Sequence, residues 1–280
     1  MDTKPLRRSI IVSVISLVAI ALVLTSATYA WFTSNGEVYT SRVEAETNDT
    51  DARLYISSKG GADFTKTEEA AISQKNSANI EALLPVSTDD LTSFLYNKTT
   101  QNGRNDSFLL DKDAKRYYYG SVYIEAEVTG SVNYRAMTIY LDDIAPLVTP
   151  DEGSLFANAG RIGLRLGDGA PMILRMSEDV NGSSAQSRNT YVDDVLLEDG
   201  KVLHYNTSTE TVEAADDPAV NPADVSVSAA DPVPLGTIEL NRIYELEIWF
   251  WLEGCDPDCS DAVQKDGAEA VISLYGVLEE

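Results

Sequence analysis

Residues 242–252 read RIYELEIWFWL, and this stretch decides the fold class. Apolar side chains recur at every second position. One face carries Tyr244, Leu246, Ile248, Phe250 and Leu252, and the other carries Glu245, Glu247, Trp249 and Trp251. Such alternation indicates a β-strand with one face on a core and one face in water. We expect EAVISLYGV, residues 269–277, to return beside it as the partner strand.

Two further pairs of alternating stretches precede this one. SVYIEAEVT (121–129) is followed across a short Gly-containing link by VNYRAMTIYL (132–141), which predicts a hairpin. RIGLRL (161–166) turns through Gly-Asp-Gly toward PMILRM (171–176), which predicts a second hairpin. The repeated pattern predicts an all-β fold, an antiparallel β-sandwich of jelly-roll or Greek-key type.

Three segments interrupt the pattern of strands. Residues 66–84 and 89–97 are less regular, and we expect one or two short helices there, with Asp89-Asp90 before LTSFLY as an N-terminal cap signal. Residues 215–234 contain four prolines and are predicted to form an acidic loop, because proline bars a central strand.

The N-terminus has the layout of a secretory signal peptide. Basic residues precede an apolar run over residues 10–24, and Thr28-Tyr29-Ala30 supplies small residues at a cleavage position. We therefore predict cleavage between Ala30 and Trp31, with residues 31–280 forming a single β-sandwich domain outside the cytoplasm. The alternative is a retained membrane anchor, since the apolar run stretched to Ala30 approaches the length of a membrane span.

Composition argues against several functions. The net charge of −24 disfavours binding to nucleic acid, and contact with a membrane is expected only through residues 1–30 if they are retained. His204 is the one histidine, and HExxH, GxSxG and phosphate-loop motifs are absent from the sequence. We therefore expect no enzyme activity, no catalytic residue, no metal and no cofactor. His204 lies in VLHYN, which reads as a strand, so we interpret it as a structural or surface histidine.

Cys255 and Cys259 are the two cysteines, and they flank Asp-Pro-Asp. Outside the cell a local disulfide is the expected state of such a pair. The nearby carboxylates would raise the pKa of a free thiol and disfavour reactive-thiol chemistry. A calcium site using Glu253, Asp256, Asp258 and Asp261 is the alternative, although their order matches no EF-hand loop.

Three segments resemble a known family. ATYAWFTSN (27–35), ANAGRIGLRL (157–166) and IWFWLEGCDPDCSDAV (248–263) are similar to stretches of the TasA/camelysin group of secreted Gram-positive proteins. The resemblance implies export through a SipW-like signal peptidase and a jelly-roll subunit of biofilm-matrix fibres. In that group the N-terminal strand of one subunit is expected to complete the sheet of the next. The group is also labelled as metalloproteases, but this sequence lacks the HExxH zinc-binding motif, which argues against proteolysis.

The stretch GEVYTSRVEAE, residues 36–46, suits such a donated strand. Tyr39, Val43 and Ala45 alternate onto one face, so the strand would lie at a sheet edge with that face buried. Trp31 and Phe32 would anchor it in the acceptor. Other copies of the protein are then the expected partners, in a head-to-tail polymer.

Other interpretations of the sequence stay open. Residues 31–46 could instead pair within their own subunit, because most proteins cover their sheet edges internally. The protein would then be a monomeric surface-binding module or a membrane-anchored ectodomain. An extracellular metallopeptidase is the remaining rival.

Overall fold

The computed structural model describes residues 42–47, 52–76, 83–99, 105–128, 134–141, 148–150, 159–175, 191–192, 195–196, 201–216, 233–254, 256, 259 and 268–279. These residues belong to one compact unit that spans Gly36–Glu280. The described strands are β1 (Arg42–Thr47), β2 (Ala52–Ser57), β3 (Glu69–Ala71), β4 (Ser73–Gln74), β5 (Pro85–Val86), β6 (Leu95–Thr99), β7 (Asn105–Leu110), β8 (Tyr118–Val128), β9 (Ala136–Leu141), β10 (Val148–Pro150), β11 (Gly160–Leu166), β12 (Met172–Arg175), β13 (Tyr191–Val192), β14 (Val195–Leu196), β15 (Lys201–Asn206), β16 (Thr211–Asp216), β17 (Val233–Glu239), β18 (Ile243–Glu253) and β19 (Ala268–Glu279).

The alternating stretch 242–252 forms β18 at the centre of the first sheet. The strand order there is β12-β11-β18-β8-β2, with β4 on β8 and β5 on β18. β18 runs antiparallel to both β11 and β8. The predicted β11–β12 hairpin is present, with Ile162 opposite Leu174.

The second sheet has the strand order β17-β9-β19-β1-β3, with β10 also on β19. β9 and β19 are antiparallel, whereas β1 and β19 are parallel. In the described part of the chain, the pair of β5 and β18 is also parallel, so the sandwich is mainly but not wholly antiparallel.

The main core lies between the two sheets. Alternation places the buried residues correctly: Leu246, Ile248 and Phe250 of β18 are at most 2% exposed, and all contribute to this core. Val122, Ile124 and Ala126 of β8 and Met137, Ile139 and Leu141 of β9 are also buried in it. The all-β sandwich prediction is confirmed. The jelly-roll or Greek-key order of connections stays a prediction.

The partners of two strands differ from those predicted. β8 pairs with β18 and β2, while β9 pairs with β17 and β19, so the expected β8–β9 hairpin is wrong. β18 and β19 likewise lie in different sheets. The reason is that the links are long enough to cross a sandwich. Residues 129–135 separate β8 from β9, and a chain of that length reaches well beyond the roughly 10 Å between packed sheets.

The short helices predicted in residues 66–84 and 89–97 are also wrong in the described residues. The first segment contains β3 and β4, and the second ends in β6. Asp90 does accept hydrogen bonds from the backbone amides of Thr92 (2.8 Å) and Ser93 (2.7 Å), as a helix cap would. However, Leu91 has a φ of 57°, in the left-handed region, so the turn cannot continue as a helix. A short 3-10 helix, Gly61–Asp63, lies outside both segments.

The loop predicted for residues 215–234 is shorter than expected at both ends. β16 extends to Asp216 and β17 begins at Val233. Residues 217–232 lie outside the described part. Pro234 is accommodated because β17 stands at the edge of its sheet, where a missing amide donor is tolerated.

Smaller hairpins pack outside the sandwich. β6 pairs with β7 and β15 pairs with β16. Leu95 of β6 and Leu203 and Tyr205 of β15 form a separate apolar cluster, which joins the two hairpins. Within the described ranges, which begin at residue 42, no helix is long and apolar enough to cross a membrane.

Candidate functional site

The predicted assembly residues are only partly described. Ala30 and Trp31 at the predicted cleavage site, together with Phe32 and Tyr39, lie outside the described residues. Val43 and Ala45 lie in β1, where they are 0% and 7% exposed. Their predicted inward orientation is therefore correct, and both side chains contribute to the main core.

β1 has a neighbour on each side. Its parallel register with β19 runs from Arg42 opposite Val271 to Thr47 opposite Gly276. On its other side β1 pairs with the short strand β3, from Arg42 opposite Ala71 to Glu44 opposite Glu69. The expectation of an edge strand is therefore wrong for Arg42–Glu44, because β3 covers the outer edge there. In the single chain these residues pair with their own subunit.

β1 therefore lies in a slot between β19 and β3, and its inward face packs on the main core. Val43 and Ala45 join a core to which β19 contributes Ile272 and Leu274, both 0% exposed. A sheet without β1 would leave the backbone amides and carbonyls on that side of β19 without a partner strand. Such an open row of amides and carbonyls is a template for another strand.

The cysteine region lies beyond the end of β18. Cys255 lies outside the described residues, so the predicted disulfide between Cys255 and Cys259 stays a prediction. Burial, assisted by the carboxylates of Glu253 and Asp256, raises the pKa of the Cys259 thiol to about 12. The expected direction of this shift is confirmed, and a reactive thiolate is disfavoured.

The two described carboxylates of the calcium alternative bind protein groups. Asp256 pairs with the guanidinium of Arg161 at 2.5 Å, and Arg161 is 0% exposed. Glu253, also 0% exposed, accepts a hydrogen bond from the indole Nε1 of Trp251 at 3.0 Å. The pair of Asp256 and Arg161 ties the segment after β18 to β11, whereas the Trp251–Glu253 hydrogen bond lies within β18. These contacts do not favour a calcium site at these two residues, while Asp258 and Asp261 lie outside the described part.

The face of β18 predicted to be wet carries a second core. Trp249 and Trp251 are 3% and 0% exposed, and they pack with Leu91, Phe94 and residues of neighbouring strands. The prediction of an outward face is therefore wrong at these positions. The segment that contains Leu91 and Phe94 covers this side of the sheet. The two tryptophans gave a signal, since such large apolar side chains are seldom left exposed.

The covering segment is a tight loop over residues 88–94. Reciprocal backbone hydrogen bonds of 2.8 Å between Ser87 and Leu95 close its base. Leu91 approaches β11 so closely that a Cβ on Gly163 would lie 2.7 Å from its Cδ2. Phe94 meets Trp251 edge to face, with 5.5 Å between ring centroids. The apolar residues of the loop therefore fix its position against the sheet.

Packing of Leu91 and Phe94 leaves two carboxylates of the loop beside the β15–β16 hairpin. Nδ1 of His204, on β15, lies 2.8 Å from Oδ2 of Asp89. Asp89 is 0% exposed, and its Oδ1 has no hydrogen-bond partner in the described part of the protein. One ligand atom each from Asp89, Asp90 and His204 lie within 4.8 Å of one another.

The two carboxylates experience different environments. Burial raises the pKa of Asp89, and the neighbouring Asp90 adds to this, while the hydrogen bond to His204 opposes it. Burial also acts to raise the pKa of Asp90, but hydrogen bonds from Thr92 and Ser93 outweigh it and the pKa is lowered. Asp90 is therefore held as a carboxylate, whereas Asp89 is a buried acid that lacks one partner.

Sequence reasoning missed this cluster. It identified β15 correctly as a strand but placed His204 as a structural or surface residue, and it treated Asp89-Asp90 as a cap signal. The two segments are separated by more than a hundred positions, and no spacing rule joins them. Only the packing of the loop under the hairpin brings the three side chains together.

Comparison with known proteins adds little to this geometry. No protein-family model and no curated protein sequence matches the chain. Among solved structures, the chain is similar to one described as "AvmM Catalyzes Macrocyclization in Alchivemycin A Biosynthesis", with 8% identity over 58% of this chain and 78% of that chain. The TM-score is 0.17, so this likeness carries no argument about fold or function.

Proposed function

We propose that this protein is a secreted, non-enzymatic structural subunit that polymerises into fibres of the cell surface or biofilm matrix. Each copy would donate its N-terminal strand, within residues 31–46, to the next copy. The observation that carries the proposal is the position of β1. It is the first described strand, and it lies in a slot between β19 and β3 with Val43 and Ala45 in the core.

Strand exchange would preserve the contacts that β1 makes in the single chain. β1 can form the same register with β19 and the same core contacts in another copy. The exchanged and closed forms therefore differ mainly in the conformation of the link to β2 and in the entropy lost on association. Residues 48–51 are the whole of that link. One-way exchange from copy to copy extends an open filament, because the donor and acceptor surfaces differ, whereas reciprocal exchange between two copies would close a dimer.

The small buried side chains of β1 also favour exchange. Fully burying a Val side chain contributes about 1.5–3 kcal/mol, and an Ala less, so withdrawal of β1 exposes little apolar side chain for a strand. The resemblance to the TasA/camelysin group supports the same assembly mode and export through a SipW-like signal peptidase.

The pairing of β1 with β19 in the single chain favours one rival, a closed monomer that binds a surface. In that case β1 stays in its own subunit and other copies are not partners. The two proposals differ in a single property, which is whether β1 reaches the β19 of another chain.

The experiment is to remove the strand and then return it as a peptide. A protein that begins at Thr47 keeps the slot but has no strand to donate, so we expect it to form no fibres and to cap fibres of the intact protein. A peptide of residues 31–46 should raise its melting temperature. A ligand at a hundred times its Kd stabilises by about 2.7 kcal/mol, which corresponds to about 5–10 °C in a domain of this size.

Two variant peptides make the test specific. Val43→Asp would bury a charge without a partner on the inward face, so it should abolish the gain in melting temperature. Thr40→Asp adds the same charge on the opposite face of the alternating pattern and serves as the matched control. Fibres from the truncated protein as abundant as those from the intact chain would rule out strand donation. A circular dichroism spectrum of the truncated protein establishes that it is folded.

A further inference from the structure

The structure also holds a cluster of possible metal ligands far from β1 in sequence. We infer that Asp89, Asp90 and His204 form a binding site for one divalent transition-metal cation, with Zn²⁺ as the best match. This site is independent of strand exchange. The inference concerns binding and its effect on stability, not catalysis.

The first argument is the geometry of the three side chains. Their ligand atoms lie within 4.8 Å of one another. In a tetrahedral zinc site the ligand atoms lie about 2.0–2.1 Å from the metal and hence about 3.3 Å apart. Asp89 and His204 are already 2.8 Å apart, so a slight opening of this pair admits the ion.

The second argument is the unpartnered oxygen of Asp89. Oδ1 is fully buried and accepts no hydrogen bond within the described residues. It sits on the same carboxyl carbon as Oδ2, which faces His204, so it belongs to the same cluster. A buried polar atom without a partner is costly, and a cation bound by Oδ1, or by both oxygens of the Asp89 carboxylate, would satisfy it.

The third argument is the support of Asp90. Thr92 donates to Oδ1 from its backbone and to Oδ2 from its hydroxyl, at 2.8 and 2.6 Å, and the Ser93 backbone amide donates to Oδ1 at 2.7 Å. Metal-binding carboxylates are commonly held by such outer hydrogen bonds, which orient them and keep them ionised. Oδ2 keeps an acceptor position for a cation, because a carboxylate offers about four lone-pair sites.

The ligand types select the metal. Ca²⁺ and Mg²⁺ prefer sites made only of oxygen, whereas an imidazole nitrogen beside carboxylates suits Zn²⁺ and its neighbours. Two carboxylates carry a charge that a divalent cation balances. The side chain of His204 is 38% exposed and Asp90 is half-buried, which gives the ion a path to the site.

A bound ion would cross-link two segments outside the main core, the loop over residues 88–94 and the β15–β16 hairpin. Asp89 and Asp90 belong to the loop that covers Trp251, and His204 belongs to the β15–β16 hairpin. An ion bound by all three would hold the hairpin to the loop. Zinc should therefore stabilise the folded protein by mass action.

Isothermal titration of the purified, chelator-treated protein with ZnCl₂ tests the inference. We expect one Zn²⁺ per chain and a rise in melting temperature with zinc concentration. His204→Gln should weaken zinc binding at least about tenfold, since even outer-shell changes cost that much at metal sites. Asp89→Asn should do the same while remaining folded without metal, because it replaces a buried carboxylate whose Oδ1 has no hydrogen-bond partner in the described residues by a neutral amide of similar size.

Controls separate this site from general attraction to an acidic protein. Asp113→Asn removes a carboxylate whose side chain is 73% exposed, and it should leave zinc affinity unchanged. CaCl₂ should bind more weakly than ZnCl₂. Equal zinc affinity in the parent protein, His204→Gln and Asp89→Asn would overturn the inference. So would zinc binding that leaves the melting temperature unchanged, or calcium binding as tight as that of zinc.

Discussion

β1 and β2 are consecutive six-residue strands, yet the sandwich holds them in different ways. β2 pairs antiparallel with β8 in the first sheet, from Ala52 opposite Val128 to Ser57 opposite Tyr123. β1 pairs parallel with β19 in the second sheet. Parallel pairing is slightly less stable per residue than antiparallel pairing. The two strands thus share a pattern and a length but differ in partner and direction.

Their buried side chains differ as well. β2 contributes Leu54 and Ile56 to the core, both at most 3% exposed, where β1 contributes Val43 and the small Ala45. The segment after β2 also folds back onto it, since Thr67 accepts and donates backbone hydrogen bonds with Ile56 at 2.8 and 3.3 Å. β2 is therefore fixed in its own subunit, whereas withdrawal of β1 would expose less apolar side chain than withdrawal of β2.

The largest effect is expected from truncating one core side chain in each strand, Ile56 in β2 and Val43 in β1. Ile56→Ala should lower the free energy of unfolding by about 2–5 kcal/mol, in the range of large-to-small changes in cores. Val43→Ala removes fewer carbons and should cost about 2 kcal/mol. Urea unfolding of the dissociated protein measures both values.

The same two variants should act differently on the polymer. If β1 is the donated strand, Val43→Ala weakens the contact between subunits. Its fibres should then dissociate at a lower urea concentration than those of Ile56→Ala, after each midpoint is corrected for the stability of the subunit. A Val43→Ala protein that loses as much stability as Ile56→Ala and whose fibres resist urea as well as the parent's would break the comparison. Light scattering during a urea titration of the fibres reports the dissociation.

A smaller effect is expected from Lys66, which lies across the outer face of β2. Its ammonium binds Glu127 of β8, lies 3.6 Å from Glu125, and is 5.3 Å from the centroid of the Tyr55 ring. The hydrogen bond to Glu127 raises the pKa of Lys66 above its usual 10.5. A raised lysine pKa gives stability that is present below pH 10.5 and is lost as the pH rises through the higher folded value.

Lys66→Gln should therefore lower stability slightly near neutral pH, less so in high salt, and not at all at strongly alkaline pH. Lys59→Gln is the matched control in the same segment. Melting curves from pH 7 to pH 11.5 compare the three proteins. A difference that grows with pH would contradict this account of the Lys66 contact.

Residue-level features of the sandwich were predictable from sequence because alternation is local. The inward positions of β8, β9, β11 and β18 are those that the pattern assigns. Strand partners were not predictable, because the same apolar face fits either sheet of a sandwich. A link such as residues 129–135 permits a tight turn but also permits a crossing between sheets.

The outer layer was harder to predict for a different reason. Trp249 and Trp251 alternate with the core residues of β18, so they were assigned to water, but a loop distant in sequence covers them. The approach of His204 to Asp89 depends on the same long-range packing. The cap-like bonds of Asp90 were detectable in sequence, whereas the left-handed conformation of Leu91 that ends the turn was not.

The most direct test of strand exchange is a disulfide that can form only between chains. Glu44 of β1 lies opposite Ser273 of β19, and neighbouring strands bring such positions within disulfide reach. Glu44→Cys and Ser273→Cys proteins of different mass are mixed, polymerised and oxidised. Glu44→Cys mixed with Glu279→Cys is the control, because six residues along a strand displace the partner by about 20 Å.

Exchange predicts a cross-link between the Glu44→Cys and Ser273→Cys chains in fibres, with none in the monomer fraction and none in the control mixture. The double variant in one chain should close within itself as a monomer, which verifies the register. Fibres that contain no disulfide between the two mixed chains, while the double variant still closes within itself, would contradict the central claim.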